Sequence, residues 1–158
     1  MAGNEYAQDL TFMRIALEEA AKAPAVGEVP IAALIVQGNQ VLAQTHNYRE
    51  IWQDPTAHAE VIAIRAASAA LGTWRLIDTT LYVTVEPCAM CIGAIILARV
   101  SRVVFGARDP KAGACGSLFD LPSEPQLNHR VAVTGGVLEQ ECQALIQKFF
   151  KELREAPL

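Results

Sequence analysis

The chain has 158 residues, 52% of them apolar and 19% charged, with a formal net charge of −4. That length suits one domain spanning residues 1–158 with a sizeable core, and the composition excludes a disordered chain. No apolar run approaches the ~20 residues needed to span a bilayer. The acidic balance gives no general attraction to nucleic acid, so DNA is not an expected partner and a polyanion would need a local basic surface. Arg49, Arg75, Arg99, Arg102, Arg108, Lys111 and Arg130, together with Lys148, Lys151 and Arg154 near the C-terminus, are the candidates for one.

Taken in chain order, the apolar residues Leu10, Met13, Leu17, Ala20 and Ala21 recur at helical spacing and predict a helix over Leu10–Ala23, stopped by Pro24. Ile31–Val36 reads as a buried strand. Gly38-Asn39 makes a two-residue turn into a second strand, Gln40–Thr45. A polar loop, His46–Pro55, follows. Asp54-Pro55 then opens a helix, with Asp as cap and Pro in the first turn, that ends at Gly72. Leu81–Val85 is a third strand, ended by Pro87. Cys88–Ala98 is a densely apolar helix and is expected to be buried. Val103–Phe105 is a fourth strand, and a Gly-, Pro- and Ser-rich loop covers roughly Asp109–His129. Arg130–Thr134 is a short fifth strand, and Leu138–Arg154 a closing amphipathic helix. A hairpin followed by helix–strand alternation implies a three-layer α/β/α sandwich around a mixed five-stranded sheet.

Chemistry concentrates in two short segments, His58-Ala59-Glu60 and Pro87-Cys88-Ala89-Met90-Cys91. One imidazole and two thiolates can take three corners of a zinc tetrahedron and leave the fourth for water, the arrangement of catalytic rather than structural zinc. Histidine-x-glutamate with proline-cysteine-x-x-cysteine is the signature of zinc-dependent deaminases. Both segments fall near expected helix starts, where free N–H groups and the helix dipole favour a thiolate. Zinc lowers the pKa of water from ~16 toward ~7; Glu60 is the candidate to take its proton and return it to the ring nitrogen and the leaving ammonia. On a regular helix, positions i and i+2 do not share a face, so His58 and Glu60 can cooperate only if both point past the helix end. Cys115 and Cys142 lack partner spacing and read as small buried fillers. No secretory leader is visible over Met1–Asp9, and the cysteine pattern suits a reducing compartment, so the expected location is the cytoplasm.

Beyond these motifs, several segments carry a closer resemblance. They are Gly27-Glu-Val-Pro30, Asp54-Pro-Thr-Ala-His-Ala-Glu60, Arg75-Leu-Ile-Asp78, Leu81-Tyr-Val-Thr84, Glu86-Pro-Cys-Ala-Met-Cys91, Arg102-Val-Val-Phe-Gly-Ala-Arg-Asp109 and Asn128-His-Arg-Val131. From about Tyr6 to Arg154 the chain resembles the bacterial tRNA-specific adenosine deaminases of the cytidine/deoxycytidylate deaminase superfamily. The resemblance implies a cytidine-deaminase-like fold, one zinc ion per subunit held by His58, Cys88 and Cys91, and a homodimer. It further implies conversion of adenosine to inosine at the wobble position of an arginine tRNA, in a loop whose bases can be splayed out. By position it makes Asn47 a hydrogen-bonding partner of the purine edge and Asp109 a contact to a ribose hydroxyl. Phe150, of the Phe149-Phe150 pair, becomes an aromatic beside the anticodon loop, with Lys151 and Arg154 facing phosphates. Other readings stay open for these residues: a turn-forming Asn, an Asp-Pro turn start, and core packing for one phenylalanine. It gives no role to Trp52 or Cys115. Two other functions remain: a deaminase of a free base or nucleoside of guanine or cytosine type, and a zinc-stabilised binding module in which His46, His129, Cys115 or Cys142 closes the fourth position.

Overall fold

The computed structural model describes residues 2–157. Ten elements follow one another along the chain. They are α1 (Ala2–Ala20), β1 (Ala32–Gln37), β2 (Gln40–His46), α2 (Arg49–Trp52), α3 (Ala59–Leu71), β3 (Thr79–Val85), α4 (Ala89–Leu97), β4 (Arg102–Ala107), β5 (Ala132–Thr134) and α5 (Glu139–Glu155). Two single turns of 3-10 helix, Pro24–Val26 and Leu121–Ser123, lie in the connections.

The five strands form one sheet in the order β2-β1-β3-β4-β5. β1 pairs antiparallel with β2 and β3, whereas β3–β4 and β4–β5 are parallel. Side chains alternate across a strand, and in β1 both faces are apolar: Ala33 and Ile35 join one core cluster, Leu34 and Val36 the other. The same division separates Leu81 and Val83 from Tyr82, and Val103 and Phe105 from Val104. Ala63 and Ala67 of α3 and Ile92, Ile95 and Ile96 of α4 fill the first cluster. Phe12, Met13 and Ala16 of α1 and Cys142 of α5 fill the second. A sheet buried on both faces is the reason its strands read as apolar runs, and the expected three-layer α/β/α sandwich with a mixed five-stranded sheet is what the chain builds.

The main departures from expectation lie at α1, α2 and α3, the first two for tertiary reasons and the third through a local turn. α1 begins at Ala2, not Leu10. Its polar first half is held by Arg102, whose guanidinium donates to both oxygens of Asp9 at 2.8 and 2.7 Å and pairs with Glu5 at 3.1 Å. Arg102 therefore turns inward and is not part of a basic surface. The loop after β2 contains α2, whose N–H groups at Glu50 and Ile51 donate to the fully buried carboxylate of Glu28 at 3.1 and 2.7 Å. α3 starts at Ala59 and not at Asp54-Pro55. Asp54 instead closes a turn, its Oδ1 accepting from the N–H of Thr56 at 2.8 Å and from its hydroxyl at 2.7 Å.

The expectation of a buried fourth helix also needs correction. Cys91, Ile92, Ile95 and Ile96 face the core, but Met90 and Leu97 are 37% and 70% exposed on the opposite side of α4.

Candidate active site

Two helix N-termini meet at the site. His58 is the N-cap of α3 and Cys88 the N-cap of α4, both in extended conformation, and each carbonyl accepts the first bond of its helix. The turn over Asp54–Thr56 delivers His58 in this position, with its N–H donating to the carbonyl of Thr56 at 2.8 Å. Because His58 lies outside the helical rotation, the i, i+2 objection to its pairing with Glu60 disappears. Glu60, in the first turn of α3, is 4% exposed.

The imidazole Nδ1 of His58 stands 3.7 Å from Cys88 Sγ and 3.4 Å from Cys91 Sγ. All three donor atoms lie within 4.8 Å of one another, and among the described residues no fourth His, Cys, Asp or Glu joins the group. A tetrahedral ion with bonds of about 2.1 Å to nitrogen and about 2.3 Å to sulfur requires N···S separations of about 3.6 Å. The observed spacing fits.

Charge within the group is shared unequally. The hydrogen bond from Cys91, reinforced by His58, draws the Cys88 thiol down to about 4. Cys91 is pushed strongly up by that same pairing and by burial. His58 is raised, chiefly by its bond to Cys88, and burial raises Glu60. Among protein groups alone, then, one negative charge serves two sulfurs and Cys91 keeps its proton. A cation between them is what would let both ionise.

The loop after β4 is strapped to this site by Glu86, a residue that sequence reading included in a matching segment but gave no role. Glu86, 3% exposed, accepts from the backbone N–H of Asp109 at 3.1 Å, of Cys115 at 3.0 Å and of Ser117 at 3.1 Å, and from the Ser117 hydroxyl. Burial alone would raise this carboxyl, yet the bonds from Ser117, Asp109 and Cys115 hold it below its ordinary value. The loop then touches α4 directly, through a bridge between Cys88 and Gly113 and an N–H of Ala114 donating to the Pro87 carbonyl at 2.8 Å. Neither Glu86 nor Glu28 has a partner close in sequence, so no local pattern marks either of them.

Asn47 is 5% exposed at the end of β2. Its Oδ1 accepts from the N–H of Arg49 at 3.1 Å, a turn-forming role. The next residue, Tyr48, donates its N–H to the carbonyl of Ala57 at 3.0 Å, immediately before His58, which brings this segment against the site. Asp109 also shapes a turn, its Oδ1 accepting from Lys111 and Ala112 at 3.0 and 3.2 Å. Phe150 stands apart: it is 40% exposed on α5, and its aromatic neighbour is Phe149, edge-on at 5.3 Å. Cys115 and Cys142 are buried, as expected of small fillers. His46 is occupied elsewhere, its Nδ1 bonded to the Asn47 carbonyl at 2.8 Å and its ring stacked on Tyr48. With His46 so placed and neither Cys115, Cys142 nor His129 joining the metal group, the closed four-ligand module has no geometric basis.

Residues 7–154 match the family model described as MafB19-like deaminase. The tRNA-specific adenosine deaminase of Bacillus subtilis (strain 168) is 51% identical over 94% of this chain and 92% of its own. A solved structure from a study of A-to-I editing by tRNA:A34 deaminases at the wobble position of transfer RNA superposes with a TM-score of 0.82. It is 44% identical and covers 85% of this chain and 98% of its own. The guanine deaminase of Bacillus subtilis is more distant, at 31% identity and a TM-score of 0.61 over 93% of this chain and 94% of its own. An enzyme is thus indicated at every level, from the donor set to the whole chain: it belongs to the tRNA-specific adenosine deaminase family.

Proposed function

We propose that this chain, acting as one catalytic domain, hydrolyses adenosine to inosine at the first anticodon position of a tRNA, with one zinc ion per subunit held by His58, Cys88 and Cys91. The observation that carries the reading is the convergence of these three donors on two helix N-termini with the buried carboxylate of Glu60 beside them, in a chain of this family. Zinc, when bound, supplies a nucleophile at neutral pH by lowering the pKa of water.

The protein's own groups do the rest. Glu60 accepts the proton of the attacking water and passes it to the purine ring nitrogen as oxygen adds to the amine-bearing carbon. It then moves a second proton to the departing amine, which leaves as ammonia. Burial raises Glu60 and so makes it a better proton acceptor than a free carboxylate. Asn47 holds the purine edge through the part of its amide not used in the turn, and Asp109 meets a ribose hydroxyl. Phe150, Lys151 and Arg154, all exposed on α5, face the loop and its phosphates.

An arginine tRNA is the substrate to which the family resemblance points, and the cytoplasm is where such a substrate is met. Among the described residues no helix is long and apolar enough to cross a membrane. Homodimerisation is supported by α4, whose Met90, Gly93, Ala94 and Leu97 share one side of the helix, with Met90 and Leu97 exposed.

The test is a substrate panel: an anticodon stem-loop bearing the target adenosine, and separately free guanine, cytidine and adenosine. Inosine in the stem-loop is expected. Turnover of a free base with the RNA untouched would replace this reading with that of a base deaminase on the same fold.

A further inference from the structure

Trp52 ends α2 with its ring 50% exposed. A lone surface aromatic needs no explanation, but this one is the outermost ring of a stack. His46 and Tyr48 lie 4.5 Å apart at 12°, and Tyr48 and Trp52 4.8 Å apart at 23°. Its innermost member is buried, the middle one half-buried and the outermost, Trp52, exposed.

The stack is held rigidly. The N–H of Trp52 donates to the Tyr48 carbonyl at 2.9 Å. Gln53, in the left-handed region at φ 48°, closes the turn, with its side-chain amide donating to the Glu50 carbonyl at 2.7 Å. The buried Glu28 carboxylate pins the other end of the same turn. Its position is also fixed, because the backbone bond from Tyr48 to Ala57 anchors the middle ring one residue from His58. Arg49 opens the same short helix three residues before Trp52, with its side chain 47% exposed and its guanidinium 3.8 Å from the Glu50 carboxylate. An exposed aromatic ring with a guanidinium on the same short helix is a combination that receives a nucleobase and its phosphate in single-stranded nucleic acid.

We infer that Tyr48 and Trp52 form a stacking platform at the mouth of the site, on which a nucleobase flanking the target adenosine is held. The inference rests on the reading of the chain as an RNA deaminase. A base stacked on Trp52 restrains the unpaired loop and so strengthens binding of RNA without touching the reacting atoms. Arg49 meets the phosphate between the two nucleotides. Free adenosine gains nothing from the platform.

The experiment measures inosine formation in an anticodon stem-loop by the wild type, Trp52→Ala and Trp52→Phe. No inosine from the wild type would defeat the proposed function itself. Given wild-type activity, Trp52→Ala is expected to raise KM about tenfold or more, the usual effect of losing one base–aromatic stack. The expected kcat stays within about twofold, and Trp52→Phe recovers most of the loss, since a phenyl ring retains the stack. An abasic nucleotide on one side of the target adenosine should weaken binding to the wild type and leave Trp52→Ala unaffected. An unchanged KM in Trp52→Ala would overturn the inference. So would a change in self-association in place of a change in RNA binding, which would make Trp52 a protein contact. Should Trp52→Ala fold poorly, Glu60→Ala/Trp74→Phe, which keeps Trp52 as its single tryptophan, decides the matter. Its fluorescence should be quenched by the stem-loop, and absence of quenching would overturn the inference.

Discussion

Glu86 and Gly113 approach so closely that a Cβ on Gly113 would fall on the Glu86 carboxylate. Glycine is required there by contact, not by backbone angle, and the contact lets one buried carboxylate gather the loop after β4 against the N-cap of α4. Gly113→Ala forces that loop outward. Overpacking of this kind costs about 1–3 kcal/mol, so thermal unfolding should occur roughly 3–10 °C lower. Deamination should weaken with it, because Asp109 hangs from the same carboxylate; an unchanged melting temperature would show that the loop gives way freely.

Asp9 and Arg102 join α1 to the sheet. Asp9 is 2% exposed and also accepts from the Tyr82 hydroxyl at 2.9 Å, so removal of the guanidinium leaves a buried carboxylate without its counter-charge. Arg102→Ala should cost about 3–5 kcal/mol. Asp9→Ala/Arg102→Ala should cost less than the two single changes together. Denaturant unfolding of the three variants checks this.

Cys115 and Cys142 should resist alkylation in the native protein. Burial pushes each thiol up to about 12, from an ordinary 9.0. The protonated form is the one the fold prefers. Its contribution to stability is therefore complete below about 9 and is lost as pH climbs toward 12. Mass spectrometry after iodoacetamide at pH 8 should find both residues unmodified until the chain is unfolded. Rapid native labelling of Cys142 would contradict its packing against Gly106, where its sulfur leaves no room for a Cβ.

Leu97 tests the dimer. Its apolar side chain is 70% exposed, uncovered by any of the described residues. Leu97→Glu should leave the fold intact and shift the protein to a monomer in sedimentation or light scattering, since a charge in the middle of an apolar interface is poorly tolerated. A wild type already monomeric at micromolar concentration would remove the proposal.

How far the sequence could be read depended on the range of the interactions involved. His58, Cys88 and Cys91 were legible because metal chemistry restricts residue type and spacing within each short segment. The sheet was legible because Ile31–Val36 and Leu81–Val85 are short apolar runs with β-branched residues, bounded by Pro30, Gly38 and Pro87. The first half of α1 was not, since its anchor, Arg102, lies 93 positions from Asp9. Asp54-Pro55 misled because an aspartate that caps a turn and one that caps a helix use the same oxygen on the same kind of N–H. Glu28 and Glu86 look like surface carboxylates until the chain folds around them. The open side of α4 was hidden for a related reason: a helix apolar all round conceals which of its faces the chain itself covers.

The central claim is most directly tested by Glu60→Ala, purified alongside the wild type. Both should carry one zinc ion per chain by elemental analysis and unfold at similar temperatures, while inosine formation in the anticodon stem-loop falls by about 100-fold or more without the proton carrier. A zinc-loaded Glu60→Ala that deaminates at the wild-type rate, or a wild type that deaminates fully with no metal bound, would contradict the account.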